Sequence, residues 1–163
     1  MLVYYKEKKI ELIISILLVI LDGIIVYYIP SYFNNISYLY PMLTISFIPF
    51  LIRKKKHNIY LIIIIGLLYD LLYSNIFLYN VFIFCLLAYI NNLISHYFKD
   101  SLLLFVSLGV INIVIYDTIT FILVMITSYQ TITLNDLLYK IENSILLNFM
   151  SIIFFYFWLK KYK

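Results

Sequence analysis

The chain has 163 residues, of which 65% are hydrophobic and only 12% charged, with a formal net charge of +4 and a mean hydropathy of +1.01. A water-soluble domain is about half apolar and a quarter charged, so this composition excludes one and points to an all-α integral membrane protein. The single cysteine, Cys85, excludes an internal disulfide and reads as a small packing residue in an apolar run.

A membrane-spanning helix needs about 20 apolar residues, and six stretches qualify as spans. The first covers about 10–29 and ends at Pro30. It follows the basic start Lys6, Lys8 and Lys9, and no small-residue cleavage site comes after it, so it is expected to stay as a helix. It carries Glu11 at its inner edge and Asp22 well inside. The second covers about 36–52, with Pro41 in its first turns and Pro49 expected to kink its far end. The basic run Arg53, Lys54, Lys55, Lys56 follows. Beside a membrane helix such a run is an orientation signal and an anionic-lipid contact rather than a nucleic-acid site.

The third span covers about 59–75 and contains Gly66 and Asp70. The fourth covers about 78–98, the fifth 102–127 with Asp117, and the sixth 145–159. Between the last two, Leu134, Leu137, Leu138 and Ile141 recur at helical spacing, and Thr133 with Asp136 resembles a helix start. That segment reads as a short amphipathic helix on the outer surface, with a plain loop as the alternative. Placing both termini in the cytoplasm puts every Lys and Arg except Lys140 on the inner side, as the positive-inside rule asks.

Asp22, Asp70 and Asp117 lie on the first, third and fifth spans, roughly 17–23 Å above the inner edge at 1.5 Å per residue. A threefold hairpin repeat gathering three acids is one reading. The other is that six helices in a chain this short force hairpins of similar length. Each acid needs satisfaction, because an acid at the centre of a membrane helix costs about 2.5–3.5 kcal/mol. Asp70 sits near the C-terminal end of its helix, where the helix dipole disfavours an anion. It is expected to be protonated, to bond Ser74 one turn on, or to meet a donor on another helix or subunit. No Lys or Arg lies within the six spans to pair with it. No Gly-rich phosphate loop, GxSxG or His/Glu pair is present, and His57 and His96 stand alone, so no catalytic, cofactor or metal set is expected.

The stretch GLLYDLLYSNIFLYNVFIFCLLAYI, residues 66–90, resembles the signature of the MreD family of bacterial rod shape-determining membrane proteins. The matching positions are Gly66, Asp70, Ser74, Tyr79, Asn80, Ala88 and Tyr89. Pro41 and the basic loop after the second span also look like the family's pattern. Many members carry Gly just before the aromatic and Asn positions, where this chain has Leu78. The resemblance implies a non-enzymatic, multi-pass protein of the bacterial cytoplasmic membrane. Its partners would be MreC and, through it, MreB and the peptidoglycan-synthesising RodA–transpeptidase pair. It also implies a fold similar to the substrate-binding components of energy-coupling-factor transporters. Gly66, Asp70, Ser74, Asn75, Tyr79 and Asn80 are then the expected partner-binding or fold-locking site.

Two competing readings remain. A vitamin-transporter substrate subunit would dock its partner through small-residue faces, whereas the chain's single Ala and the first span's few small residues argue otherwise. A proton- or cation-handling protein would turn Asp22, Asp70 and Asp117 into one cavity.

Overall fold

Backbone amides that leave water must bond within their own segment, and a helix satisfies them all locally. The apolar runs accordingly form six α-helices in the computed structural model, which describes residues 2–28, 42–54, 58–74, 76–97, 101–127 and 133–161. These are α1 (Leu2–Tyr28), α2 (Met42–Lys54), α3 (Ile59–Tyr73), α4 (Tyr79–Tyr97), α5 (Leu102–Thr127) and α6 (Leu134–Lys161). Among the described residues there is no strand. The expected outer loop at 31–40 and the first turns of the second span, with Pro41, lie outside the described residues. So do Asn75, Lys55 and Lys56.

The segment before the sixth span differs from expectation. Residues 134–143 are helical, but they form the first turns of α6 rather than a separate surface helix. Neither Gly nor Pro interrupts the chain from Leu134 to Lys161, so the hydrogen-bond ladder runs on through the polar stretch. Thr133 starts the helix. Its N–H and hydroxyl both donate to the Asp136 carboxylate at 2.8 Å. The backbone bond and then the hydroxyl bond hold the Asp136 carboxyl below its usual pKa.

Helix α2 is the axis of the bundle. It packs against all five other helices, which surround it in the order α1, α3, α4, α5, α6. Ile45, Phe47, Ile48, Phe50 and Leu51 are all buried. Pro49 sits inside α2, which continues through it to Lys54. Aromatic side chains fill the space around this axis. The ring centroids of Phe50 and Phe105 are 4.7 Å apart, and those of Phe47 and Phe155 are 5.1 Å apart. Pairs of this kind contribute about 0.5–1.5 kcal/mol beyond their burial.

The distribution of polarity is the reverse of a soluble protein. Glu11, Ser15, Asp22, Thr44, Ser46, Asp70, Asn80, Asn91, Asn112, Asp117 and Asn148 are buried, while Ile13, Leu17, Leu103, Ile126, Met150 and Phe154 are exposed. On α1 the split is clean: Glu11, Ser15, Leu18, Val19 and Asp22 face inward, and Ile13, Leu17, Ile20 and Ile24 face outward. An outer surface this apolar asks for lipid as its solvent. Among the described residues one helix, Leu102–Thr127, is by itself long and apolar enough to cross a membrane, while Ile59–Tyr73 and Tyr79–Ser95 are apolar but shorter.

Gly66 sets the spacing of α3 and α4. A Cβ there would lie 2.6 Å from Val81 Cα and 2.9 Å from Val81 N, both backbone atoms. At Gly109 a Cβ would meet only the side chain of Ile152, whose far end can turn aside. Gly66→Ala is therefore expected to force α3 and α4 apart and to lower stability by about 1–3 kcal/mol, the usual range for overpacking. Gly109→Ala should lower it by less. Thermal unfolding of both variants in detergent checks the order.

Candidate functional site

A helix begins with unpaired N–H groups, and in lipid no water can take them. Two of the three aspartates meet this demand. Asp22 on α1 reaches the start of α2, where Leu43 N–H donates to Oδ1 at 2.8 Å and Thr44 N–H to Oδ2 at 3.1 Å. The Thr44 hydroxyl adds a bond of 2.6 Å to Oδ2. Asp70 on α3 does the same for α4. Asn80 N–H and the Asn80 side-chain amide both donate to Oδ1 at 2.9 Å, and Val81 N–H donates to Oδ2 at 3.3 Å.

Each carboxylate thus caps the helix that follows its own. The dipole of α3 disfavours an anion near its C-terminus, but the carboxylate of Asp70 meets the N-terminus of α4, where the dipole favours one. Of the expected fates of Asp70, the donor on another helix is the one observed, and it belongs to the same chain. Ser74 is not its side-chain partner. The Ser74 hydroxyl accepts from Ile76 N–H and donates to Ile76 C=O, both at 3.1 Å. Ser74 N–H donates to the Asp70 main-chain carbonyl at 3.2 Å and ends α3.

Asp117 on α5 has a different partner. Its Oδ1 lies 3.2 Å from Lys140 Nζ, and both side chains are buried. Lys140 lies outside the six expected spans, yet it reaches this acid. Because α6 begins at Leu134, Lys140 lies inside a bundle helix rather than on a surface segment. Ser144 stands beside Asp117 one turn further on.

Tyrosines and threonines add further bonds between helices, several of them at the Asp70 junction. Tyr116 donates its hydroxyl to Asn80 Oδ1 at 3.1 Å, so α5 holds the amide that binds Asp70. Tyr79 donates to Thr120 Oγ1 at 2.8 Å, and Thr120 donates to Tyr116 C=O. Tyr73 lies over Gly23 and donates to Val19 C=O at 3.1 Å, which ties α3 to α1. The Tyr69 hydroxyl lies beside Asp22 but outside hydrogen-bond geometry.

Of the residues singled out in the sequence, Gly66, Asp70, Tyr79 and Asn80 come together at the α3–α4 junction, and Ser74 stands just outside it. Asp22 and Asp117 hold other helix pairs. The three acids have separate partners. Two are engaged by two different helix starts and the third by Lys140. Among the described residues no three His, Cys, Asp or Glu side chains gather to hold a metal. Sequence reasoning missed Thr44, Tyr116, Thr120, Lys140 and Ser144. The signal available for them was a polar group in or beside an apolar run. Further pairs cross the bundle elsewhere: Ser46 donates to Asn148 Oδ1 at 2.7 Å, and Asn91 to Asn112 Oδ1 at 2.9 Å.

A family model described as rod shape-determining protein MreD matches residues 6–163. No curated protein and no solved structure matches the chain.

Two outcomes follow from the junction. Asp70→Leu leaves two backbone N–H groups and the Asn80 amide without an acceptor, and is expected to lower stability by about 2–3 kcal/mol. Leu78 has φ +65°, a left-handed conformation that costs a side-chain-bearing residue roughly 1–2 kcal/mol. Leu78→Gly should therefore raise the melting temperature despite the greater freedom of glycine in the unfolded chain. Thermal unfolding in one detergent reads both, and an unchanged Asp70→Leu melt would remove the cap from the account.

Proposed function

This chain belongs to the MreD family of rod shape-determining membrane proteins, and on that premise we propose that it is a non-enzymatic part of the bacterial cell-elongation complex. In this reading it spans the cytoplasmic membrane six times, with both termini inside. It binds MreC and through it links MreB to peptidoglycan synthesis by RodA and its partner transpeptidase. The observation that carries the reading is the match along residues 6–163.

Two features of the molecule support it. The basic residues fall on one side of a six-span arrangement, with Lys140 the exception, and Lys140 is paired within the bundle rather than offered to water. The costly acids are used to hold helices together. Such carboxylates build a scaffold rather than a reaction centre.

Gly66, Asp70, Ser74, Asn75, Tyr79 and Asn80 then form a fold-locking site that fixes the α3–α4 corner presented to a partner. Association between membrane helices depends on close packing and interhelical hydrogen bonds, so a rigid corner favours a defined partner. Arg53, Lys54, Lys55 and Lys56 orient the chain and contact anionic lipid at the inner face.

Affinity capture of the tagged full chain from native membranes in mild detergent, with mass spectrometry of the eluate, tests the role. MreC and the RodA–transpeptidase pair are expected. Recovery of an ATPase module without MreC would overturn the reading in favour of a transporter subunit.

A further inference from the structure

Helix α3 is short for a membrane. Helix α3 has 15 residues, a rise of about 22 Å at 1.5 Å per residue, whereas the hydrocarbon core is roughly 30 Å thick. Helix α5, with 26 residues, rises about 39 Å and clears that core with length to spare. The lower end of α3 is pinned at the inner side. Asn58 precedes the helix directly after the basic run, and its buried amide donates to Leu51 C=O at 2.8 Å. Even standing upright, α3 stops about 8 Å below the outer edge of the hydrocarbon, and tilt brings it lower.

The turn beyond α3 has the chemistry of that position. Ile76, Phe77 and Leu78 are 47%, 68% and 48% exposed. Leu71, Leu72 and Phe82 continue the same apolar surface. A turn in water is built from Gly, Asn, Asp, Ser and Pro. Part of the polar backbone of this turn is served from within the protein. Asp70 takes the N–H groups of Asn80 and Val81, the Ser74 hydroxyl serves both N–H and C=O of Ile76, and Phe82 N–H bonds Leu78 C=O. Protein partners for turn backbone are what a water-free medium demands.

We propose that the tip at residues 76–78 is seated among the acyl chains of the outer leaflet and does not reach the outer water. The occupant of this corner is lipid, and a protein meeting it must present an apolar membrane segment. The inference rests on the membrane-spanning arrangement proposed above but not on the role in the elongation complex.

The test is thiol labelling of the full chain in native membranes, in a Cys85→Ser background. Phe77→Cys is compared with Asn135→Cys, an exposed polar position in the first turn of α6. A membrane-impermeant maleimide is applied to right-side-out and to inverted vesicles, and total thiol is counted after denaturation in SDS. Asn135→Cys should label from the right-side-out face, and Phe77→Cys severalfold more slowly from both faces. Equal rates at the two positions from one face would overturn the proposal. Labelling of Asn135→Cys from the inverted face alone would overturn the orientation instead, and the slower Phe77→Cys rate would still uphold the depth. Should Phe77→Cys fail to accumulate, Phe77→Trp in a Trp158→Phe background reads the same depth. Quenching by lipids brominated on the acyl chain is expected, and absence of quenching would overturn the proposal.

Discussion

Helix α4 begins with unpaired backbone N–H groups, and a carboxylate from the preceding helix takes them. The bond from Asp70 to the Asn80 and Val81 amides lets α3 and α4 follow each other through a tight apolar turn, with Gly66 admitting the backbone of α4 at contact distance. Asp22 repeats the device at the start of α2, the helix around which the other five are arranged. Charge-assisted hydrogen bonds contribute about 1.5–3 kcal/mol each, comparable to the cost of an acid inside a membrane helix. The acids are therefore structural parts of the bundle, each holding two helices together.

The α5–α6 pair solves the same problem by other means. Asp117 faces no helix start, because α6 begins well before the point of contact. It meets Lys140 instead. An ion pair fixes two helices without capping either, and removing one partner of a buried pair leaves a bare charge. Two of the three acids thus cap a following helix, and the third forms an ion pair.

Helical class and the unusual acids were legible in the sequence because both follow from local composition: long apolar runs permit little else, and an isolated Asp among Leu, Ile and Tyr is conspicuous. The partner of Asp70 was not legible. It lies ten positions on, and only the three-dimensional path of residues 76–79, with Leu78 at positive φ, brings the start of α4 back over the carboxylate. Lys140 was read as a lone outer cation because residues 134–143 look amphipathic on their own. Their continuity with the sixth apolar run depends on the absence of a break, a weaker signal than the presence of one. Tyr116 was hidden among 18 tyrosines, since nothing local in the sequence marks which of them reaches another helix.

The most direct test of the central claim is backbone amide hydrogen exchange at Asn80 and Val81 in the membrane-reconstituted protein, compared with Asp70→Asn. These amides sit in the first turn of α4, where helix-start N–H groups have no intrahelical partner. The account predicts slow exchange at both positions in the natural sequence and a marked acceleration in the variant, with the interior of α4 unaffected. Fast exchange at Asn80 and Val81 in the natural sequence, or rates indifferent to the variant, would contradict it.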